Sequence, residues 1–362
     1  MKLDIIAGAR PNFIKIAPII EAIKSKQKSG TDISFRLIHT GQHYDKNMSE
    51  DFFAQLGIPF PDFNLEAGSG TQSEQTAKIM IGYEKILLKT PSDICIVVGD
   101  VTSTMACSIV AKKLHLKVAH IEGGIRSFDL SMPEEINRML TDSITDYFFT
   151  TSEYANKNLI SMGVNKKRIF FVGNTMIDTL IKHKKKFINP DIFINENLKH
   201  NQYFVLTMHR PANVDEQKKL KNFLTVIDNN VGNCPIIFPV HPRTKNILSN
   251  LECQFQLIKY TNPLSYLEFN YLVSKSRCVI TDSGGITEEA TVMGIPCLTL
   301  RDNTERPETI IEGTNKLIGT NPEKLIPALK KVMLGDWKKG SIPKYWDGKT
   351  SERIVSKLIE LI

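Results

Sequence analysis

Short apolar runs rich in β-branched residues, near 3–8, 34–40, 94–99, 117–122, 146–151 and 168–172, alternate with longer stretches at 11–28, 74–89, 102–114, 134–144 and 153–162 whose apolar residues recur at helical spacing. Strands that alternate with helices in this way predict βαβ units on a parallel sheet. A second series near 203–208, 235–240, 256–260, 278–281, 296–300 and 316–319 repeats the pattern. The expected fold class is α/β, with two such parallel-sheet domains in tandem. Between the series, GNTMIDTLIKHKKKFINPDIFINENLKHNQ is polar and rich in Lys and Asn, which places the boundary near 175 and the domains over 1–175 and 176–345. The last stretch, 346–362, ends in SERIVSKLIELI, whose apolar spacing predicts an amphipathic helix docked on one domain and able to cross back to the first.

At 362 residues the chain exceeds one comfortable core and fits roughly two domains of about 150 to 200 residues, between which a cleft can form. Hydrophobic residues at 41% and charged residues at 23% exclude a disordered or fibrous chain. No apolar run approaches the roughly 18 residues of a membrane span, and Met1 leads straight into LDIIAG, so a cytoplasmic protein without membrane attachment is expected. The six cysteines lie far apart without a CxxC pair, which favours core packing over zinc or redox chemistry; no metal site is expected. A net charge of +7 suits an anionic partner, but the cations are spread along the chain apart from a run at 182–186, expected as solvated surface. No basic stripe with interleaved aromatics appears, so nucleic acid is not the expected partner.

Several strand-like runs end on residues with chemical capability: IIAGAR at Arg10, ICIVVGD at Asp100, VAHIE at Glu122, FVLTMH at His209, IIFPVH at His241, VITDSGG at Ser283 and CLTLRD at Arg301 and Asp302. In an open parallel sheet the carboxyl ends of the strands share one edge, where ligands bind. In GARPNFIK, Pro11 suits the first position of a helix, so backbone N–H groups, Arg10 and Lys15 can form an anion site or simply cap the helix. The absence of GxGxxG argues against a dinucleotide dehydrogenase. Asp100 can act chemically or serve as an N-cap. Glu122, followed by Gly123 and Gly124, is harder to explain structurally. Glu134 and Arg138, spaced i,i+4 after Pro133, can pair on one helix face. Asp100, Glu122 and Glu134 together form a plausible acid/base set, because burial and mutual repulsion can keep one carboxyl protonated near neutral pH. In DSGGITEEA, Ser283, Gly284 and Gly285 offer N–H groups at a helix start for a phosphate, and Glu289 either reaches a sugar hydroxyl or is a solvated first-turn acid. Arg306, in TERPE, and His209 join the same half as candidates for phosphate contact; His241 lines the site or braces its loop.

Taken together, GARPNFIK, TGQHYD, VVGDVTST, HIEGGIRSFDLSMPEEINR, VGNTMID, TMHRPANVD, PVHPRT, TDSGGITEEA and LRDNTERPE resemble the non-hydrolysing UDP-N-acetylglucosamine 2-epimerases over nearly the whole chain, in order. The resemblance implies a glycosyltransferase-B-like architecture of two Rossmann-like domains with a deep interdomain cleft, UDP held mainly by the second domain, a homodimer, and no cofactor or metal. It implies that UDP-GlcNAc loses its C2 proton and its UDP, leaving 2-acetamidoglucal, and that UDP adds back with the proton on the opposite face to give UDP-ManNAc, a surface polysaccharide precursor. By the same resemblance Asp100, Glu122 and Glu134 match acid/base carboxylates. Arg10, Lys15, Arg138 and His209 match residues that bind or activate the diphosphate, His209 counting among the catalytic set. Ser283, Gly284 and Gly285 match the phosphate loop, Glu289 a ribose contact and Arg306 a further cleft residue. Gln42, His43, Gln72 and His241 are compatible with a site for a second, activating UDP-GlcNAc. Ala212-Asn213 stands where many relatives carry Glu-Asn, and HIEGGIRS where Ala-Gly-Leu is usual. The alternatives are the same chemistry on a UDP-2,3-diacetamido uronic acid or a 6-deoxy-hexosamine, a UDP-sugar glycosyltransferase, and a UDP-sugar sensor without turnover.

Overall fold

Leu3, Ile5 and Ile6 of β1 (Lys2–Ala7) are all buried, as a strand covered on both faces requires. A computed structural model describes residues 1–41, 53–240, 242–249, 251 and 254–361. Among these the chain divides into two compact units, Met1–Lys182 with Lys344–Ile362, and His183–Pro343. In the first unit β1 is followed by β2 (Ser34–His39), β3 (Phe63–Asn64), β4 (Ile94–Val98), β5 (Lys117–Ile121), β6 (Tyr147–Thr150) and β7 (Ile169–Phe171). These strands form one parallel sheet ordered β3-β2-β1-β4-β5-β6-β7. The second unit contains β8 (Phe204–Thr207), β9 (Ile236–Pro239), β10 (Ile258–Thr261), β11 (Cys278–Thr281), β12 (Cys297–Thr299) and β13 (Asn315–Leu317). Its parallel sheet runs β10-β9-β8-β11-β12-β13. Both are doubly wound α/β sheets, and each reverses its strand order once: between β1 and β4, and between β8 and β11. At such a reversal neighbouring loops part and leave a crevice.

Two elements depart from the expected pattern. The two-residue β3 pairs with β2 through Ile38 and His39, but its exposed Phe63 and Asn64 give no strand signal. Within the stretch expected as a linker, Thr175–His183 is a helix of the first unit, so that unit extends to Lys182 and not to 175. Its reason is local and tertiary. Asn174 Oδ1 accepts from Met176 N at 2.9 Å, and Ile177 and Leu180 are fully buried. The Thr179 hydroxyl donates to Ile14 O at 2.7 Å, the carbonyl that Pro18 leaves without its helical N–H.

The C-terminal helix, Thr350–Glu360, packs on the helix Arg10–Lys28 of that same unit. Asp178 caps it from outside, accepting from Thr350 N at 3.1 Å and Ser351 N at 2.7 Å. Trp346, 1% exposed, anchors the approach by donating from Nε1 to Thr151 O at 3.0 Å. Cys95, Cys107, Cys278 and Cys297 are buried thiols in the cores, consistent with packing roles. Among the described residues no helix is long and apolar enough to cross a membrane.

Candidate active site

In the first unit the crevice edge is built by the turns after β1, β4 and β5. Asn12, buried, ties the first two together: its Oδ1 accepts from Gly8 N at 3.2 Å and Ala9 N at 3.0 Å, and its Nδ2 donates to Val98 O at 3.0 Å. Arg10 is exposed beside this turn. Lys15 projects from the following helix and places Nζ 2.7 Å from Glu122 Oε2, with both side chains almost fully buried. Glu122 adopts φ +72°, a left-handed conformation that costs a non-glycine residue on the order of 1–2 kcal/mol. Backbone strain at a buried, charge-paired carboxylate on the crevice edge marks a residue whose orientation matters.

Asp100 is not an N-cap: Val101 holds that position, without a side-chain cap. The Asp100 carboxylate accepts from Arg138, at 3.0 Å from Nε and 2.5 Å from Nη2. The expected Glu134–Arg138 pairing is replaced by one with Glu135, whose Oε2 lies 2.6 Å from Arg138 Nη1. Glu135 faces inward and clamps the preceding loop, accepting from Ser127 N and Phe128 N, while Glu134 is half-buried. Burial pushes the Glu135 carboxyl up, but the Ser127 N–H and Arg138 outweigh it and leave it below the usual carboxylate range. Lys15 and Arg138, matched by resemblance to diphosphate binders, thus each hold a carboxylate. Gln72 lies near this edge, its Oε1 accepting from the Thr102 hydroxyl at 3.2 Å. Gln42, His43 and His241 lie outside the described residues.

In the second unit the turns after β8 and β11 meet at Asp282. This fully buried carboxylate accepts from His209 N at 3.0 Å, Arg210 N at 2.9 Å and Asn213 Nδ2 at 3.3 Å, and lies 2.9 Å from His209 Nδ1. Burial alone would raise its pKa; the bond and charge of His209, with the backbone N–H groups, bring it below the ordinary value. The His209 ring, 42% exposed, is thereby oriented with Nδ1 inward. Ser283 precedes the helix Gly284–Met293, but its N–H is taken by Thr281 Oγ1 at 3.0 Å, which leaves Gly284 and Gly285 as the open start of the helix. A Cβ on Gly284 would lie 2.9 Å from Glu305 Oε1, so the approach there is close. Arg306 is buried against Glu288, with Nε 2.6 Å from Oε1.

Glu289 is a buried acid, not a solvated one. Tyr266 donates its hydroxyl to Oε1 at 2.8 Å. Burial pushes the Glu289 carboxyl up to about 7, with Tyr266 and Asn270 opposing the shift. A folded-state value above the unfolded one means that the fold holds an extra proton between the two, so stability declines as pH rises from about 4.5 through about 7. Glu289→Gln should flatten the dependence of melting temperature on pH across that window; an unchanged slope would remove Glu289 as its source.

Two switch-point edges, one carrying paired carboxylates and one a carboxylate-oriented histidine beside a helix start, suit proton transfer and phosphate binding respectively. A family model described as UDP-N-acetylglucosamine 2-epimerase matches residues 25–359. The chain belongs to this family. The UDP-N-acetylglucosamine 2-epimerase of Methanocaldococcus jannaschii is 45% identical over 98% of both chains. A crystal structure of the enzyme from that organism, in complex with UDP-GlcNAc and UDP, superposes with a TM-score of 0.88 at 44% identity, covering 99% of this chain and 100% of that one. The UDP-2,3-diacetamido-2,3-dideoxy-D-glucuronate 2-epimerase of Pseudomonas aeruginosa is 36% identical over 100% of both chains. This epimerase is an isomerase with the glycosyltransferase-B-like pair of α/β domains expected from its sequence.

The residues that hold the site, Asn12, Glu135, Asp282, Tyr266 and Asn270, are absent from the sequence-based set. Asp282 alone carried a signal, as the strand-ending acid of TDSGG.

Proposed function

We propose that this epimerase interconverts UDP-GlcNAc and UDP-ManNAc. The observation that carries the reading is the pair of carboxylates, Glu122 against Lys15 and Asp100 against Arg138, at the switch-point edge of the first unit. Cleavage of C1–O sends the bonding electrons to the diphosphate. A carboxylate takes the C2 proton, and the C2–H electrons form the C1–C2 double bond of 2-acetamidoglucal. In the return, a carboxylic acid on the opposite face delivers a proton to C2 and the diphosphate oxygen re-forms the bond to C1. Ion pairing by Lys15 supports Glu122 as the ionised base; Asp100 and Glu134 are the groups for the other face. No step consumes an oxidant or requires a cofactor.

The second unit supplies the nucleotide contacts in this reading: His209 and the N–H groups of Gly284 and Gly285 for the diphosphate, and Glu289 for ribose. Charge grows on the diphosphate as C1–O breaks, and preorganised donors stabilise it most in that state. Ile136, Met139 and Leu140, exposed along one face of the helix Pro133–Ile144, support the expected homodimer. A cytoplasmic location fits a nucleotide-sugar substrate. The Pseudomonas relative supports a second reading, the same chemistry on a 2,3-diacetamido uronic acid.

Proton NMR with UDP-GlcNAc in heavy water tests the proposal. A UDP-ManNAc signal deuterated at C2 is expected. Free ManNAc with UDP would mean hydrolysis, and an unchanged spectrum with turnover of the diacetamido uronate would establish the second reading.

A further inference from the structure

His120, on β5, is fully buried between two acceptors. Its Nδ1 lies 2.7 Å from Asp142 Oδ1 and its Nε2 2.8 Å from Gly99 O. The Asp142 carboxylate and the Gly99 carbonyl are both acceptors, so each ring nitrogen is engaged by the protein, with Nε2 donating to Gly99 O. Arg126 Nη1 lies 2.7 Å from Asp142 Oδ2, so the same carboxylate also meets a buried guanidinium. Burial would raise the Asp142 pKa, but His120 first and Arg126 second hold it below the usual range.

The pair ties together the two turns that carry the paired carboxylates. Gly99, at φ +70°, immediately precedes Asp100. On the other side, Asp142 Oδ2 accepts from Gly124 N at 3.0 Å, two residues after the strained Glu122. Gly124 itself, at φ +81°, has no room for a side chain: a Cβ would lie 2.5 Å from Ala155 O. The helix bearing Asp142 also bears Asn137 and Arg138, which hold Asp100 through its carbonyl and carboxylate. A single hydrogen-bonded unit therefore spans Gly99, His120, Asp142 and Gly124.

We propose that His120, acting through Gly99 and Asp142, is a positioning residue that fixes Asp100 and Glu122 relative to one another for proton transfer at C2. This rests on the acid/base reading of those carboxylates. The ring has no route to the substrate itself, since both nitrogens are committed to protein acceptors.

Two near-isosteric variants separate its contacts. In His120→Gln the amide can reach the Nε2 position and donate to Gly99 O; in His120→Asn it reaches only toward Asp142. With UDP-GlcNAc as substrate, kcat should fall about 10- to 100-fold in His120→Asn, the size expected for a small misplacement of reacting groups, with KM and UDP affinity nearly unchanged. His120→Gln should recover part of kcat. Variants that lose thermal stability but keep kcat would overturn the proposal in favour of a purely structural role. Nitrogen NMR of the unsubstituted chain with labelled histidine gives a second check: a protonated Nε2 hydrogen-bonded to Gly99 O is expected, and an Nε2 that carries no proton would overturn the proposal even if neither variant folds. No turnover of either UDP-sugar by the unsubstituted chain would instead overturn the functional reading, and the positioning role with it.

Discussion

Glu122→Gln should lower kcat for epimerisation by about 10²- to 10⁴-fold, the range for removing a positioned general base, while UDP affinity stays near that of the unsubstituted protein. The amide keeps the shape of the carboxylate but cannot accept the C2 proton. Two features make Glu122 the most exposed to this test. Among the described candidates it is the one held in a left-handed conformation, at φ +72°, and its Oε2 sits 2.7 Å from a buried ammonium. Removing the negative charge strands Lys15, so some loss of thermal stability should accompany the loss of rate. Restoring neutrality in Glu122→Gln/Lys15→Met should recover stability and leave kcat low. Exchange of the C2 hydrogen with heavy water, followed by NMR from both epimers, reports the chemical step without relying on net turnover. Near-normal kcat in the single variant would sink the assignment of Glu122 as base.

The frame of the molecule was legible because buried parallel strands show as unbroken apolar runs and their helices as periodic ones. What escaped was decided by tertiary contact. The Thr175–His183 helix lies in a Lys-rich stretch that reads as solvated, and it becomes part of the first unit through Asn174, Ile177 and the link from Thr179 to Ile14. At the site, Asp100, Glu122 and His209 were visible as chemistry at strand ends. Their partners were not, because the bonds are long-range: Lys15 meets Glu122 across 107 positions and His209 meets Asp282 across 73. Helical spacing even suggested the wrong neighbour for Arg138. Glu134 lies one turn away, but the inward face of that helix carries Glu135, Arg138 and Asp142, and it is Glu135 that shares the buried guanidinium.

Asp282→Ala should be the most damaging change in the second unit, for stability as well as binding. Its carboxylate collects His209 N, Arg210 N, Asn213 Nδ2 and the His209 ring, so truncation leaves several donors without an acceptor at the crevice. A loss on the order of 3 kcal/mol or more follows from uncompensated buried donors, and should appear as a clear fall in melting temperature. Asp282→Asn keeps the volume but turns an N–H group toward other N–H groups, so it should recover little. Neither variant preserves the anion that keeps the His209 ring turned with Nδ1 inward. If that ring meets the diphosphate, UDP binding measured by calorimetry should weaken in both variants, and kcat/KM for the UDP-sugar should drop about 10²-fold through misplacement of the leaving-group contact. His209→Ala separates the two roles, because it should weaken UDP binding with little effect on melting. UDP affinity unchanged in all three variants would place the diphosphate elsewhere and reduce Asp282 to a brace between the turns after β8 and β11.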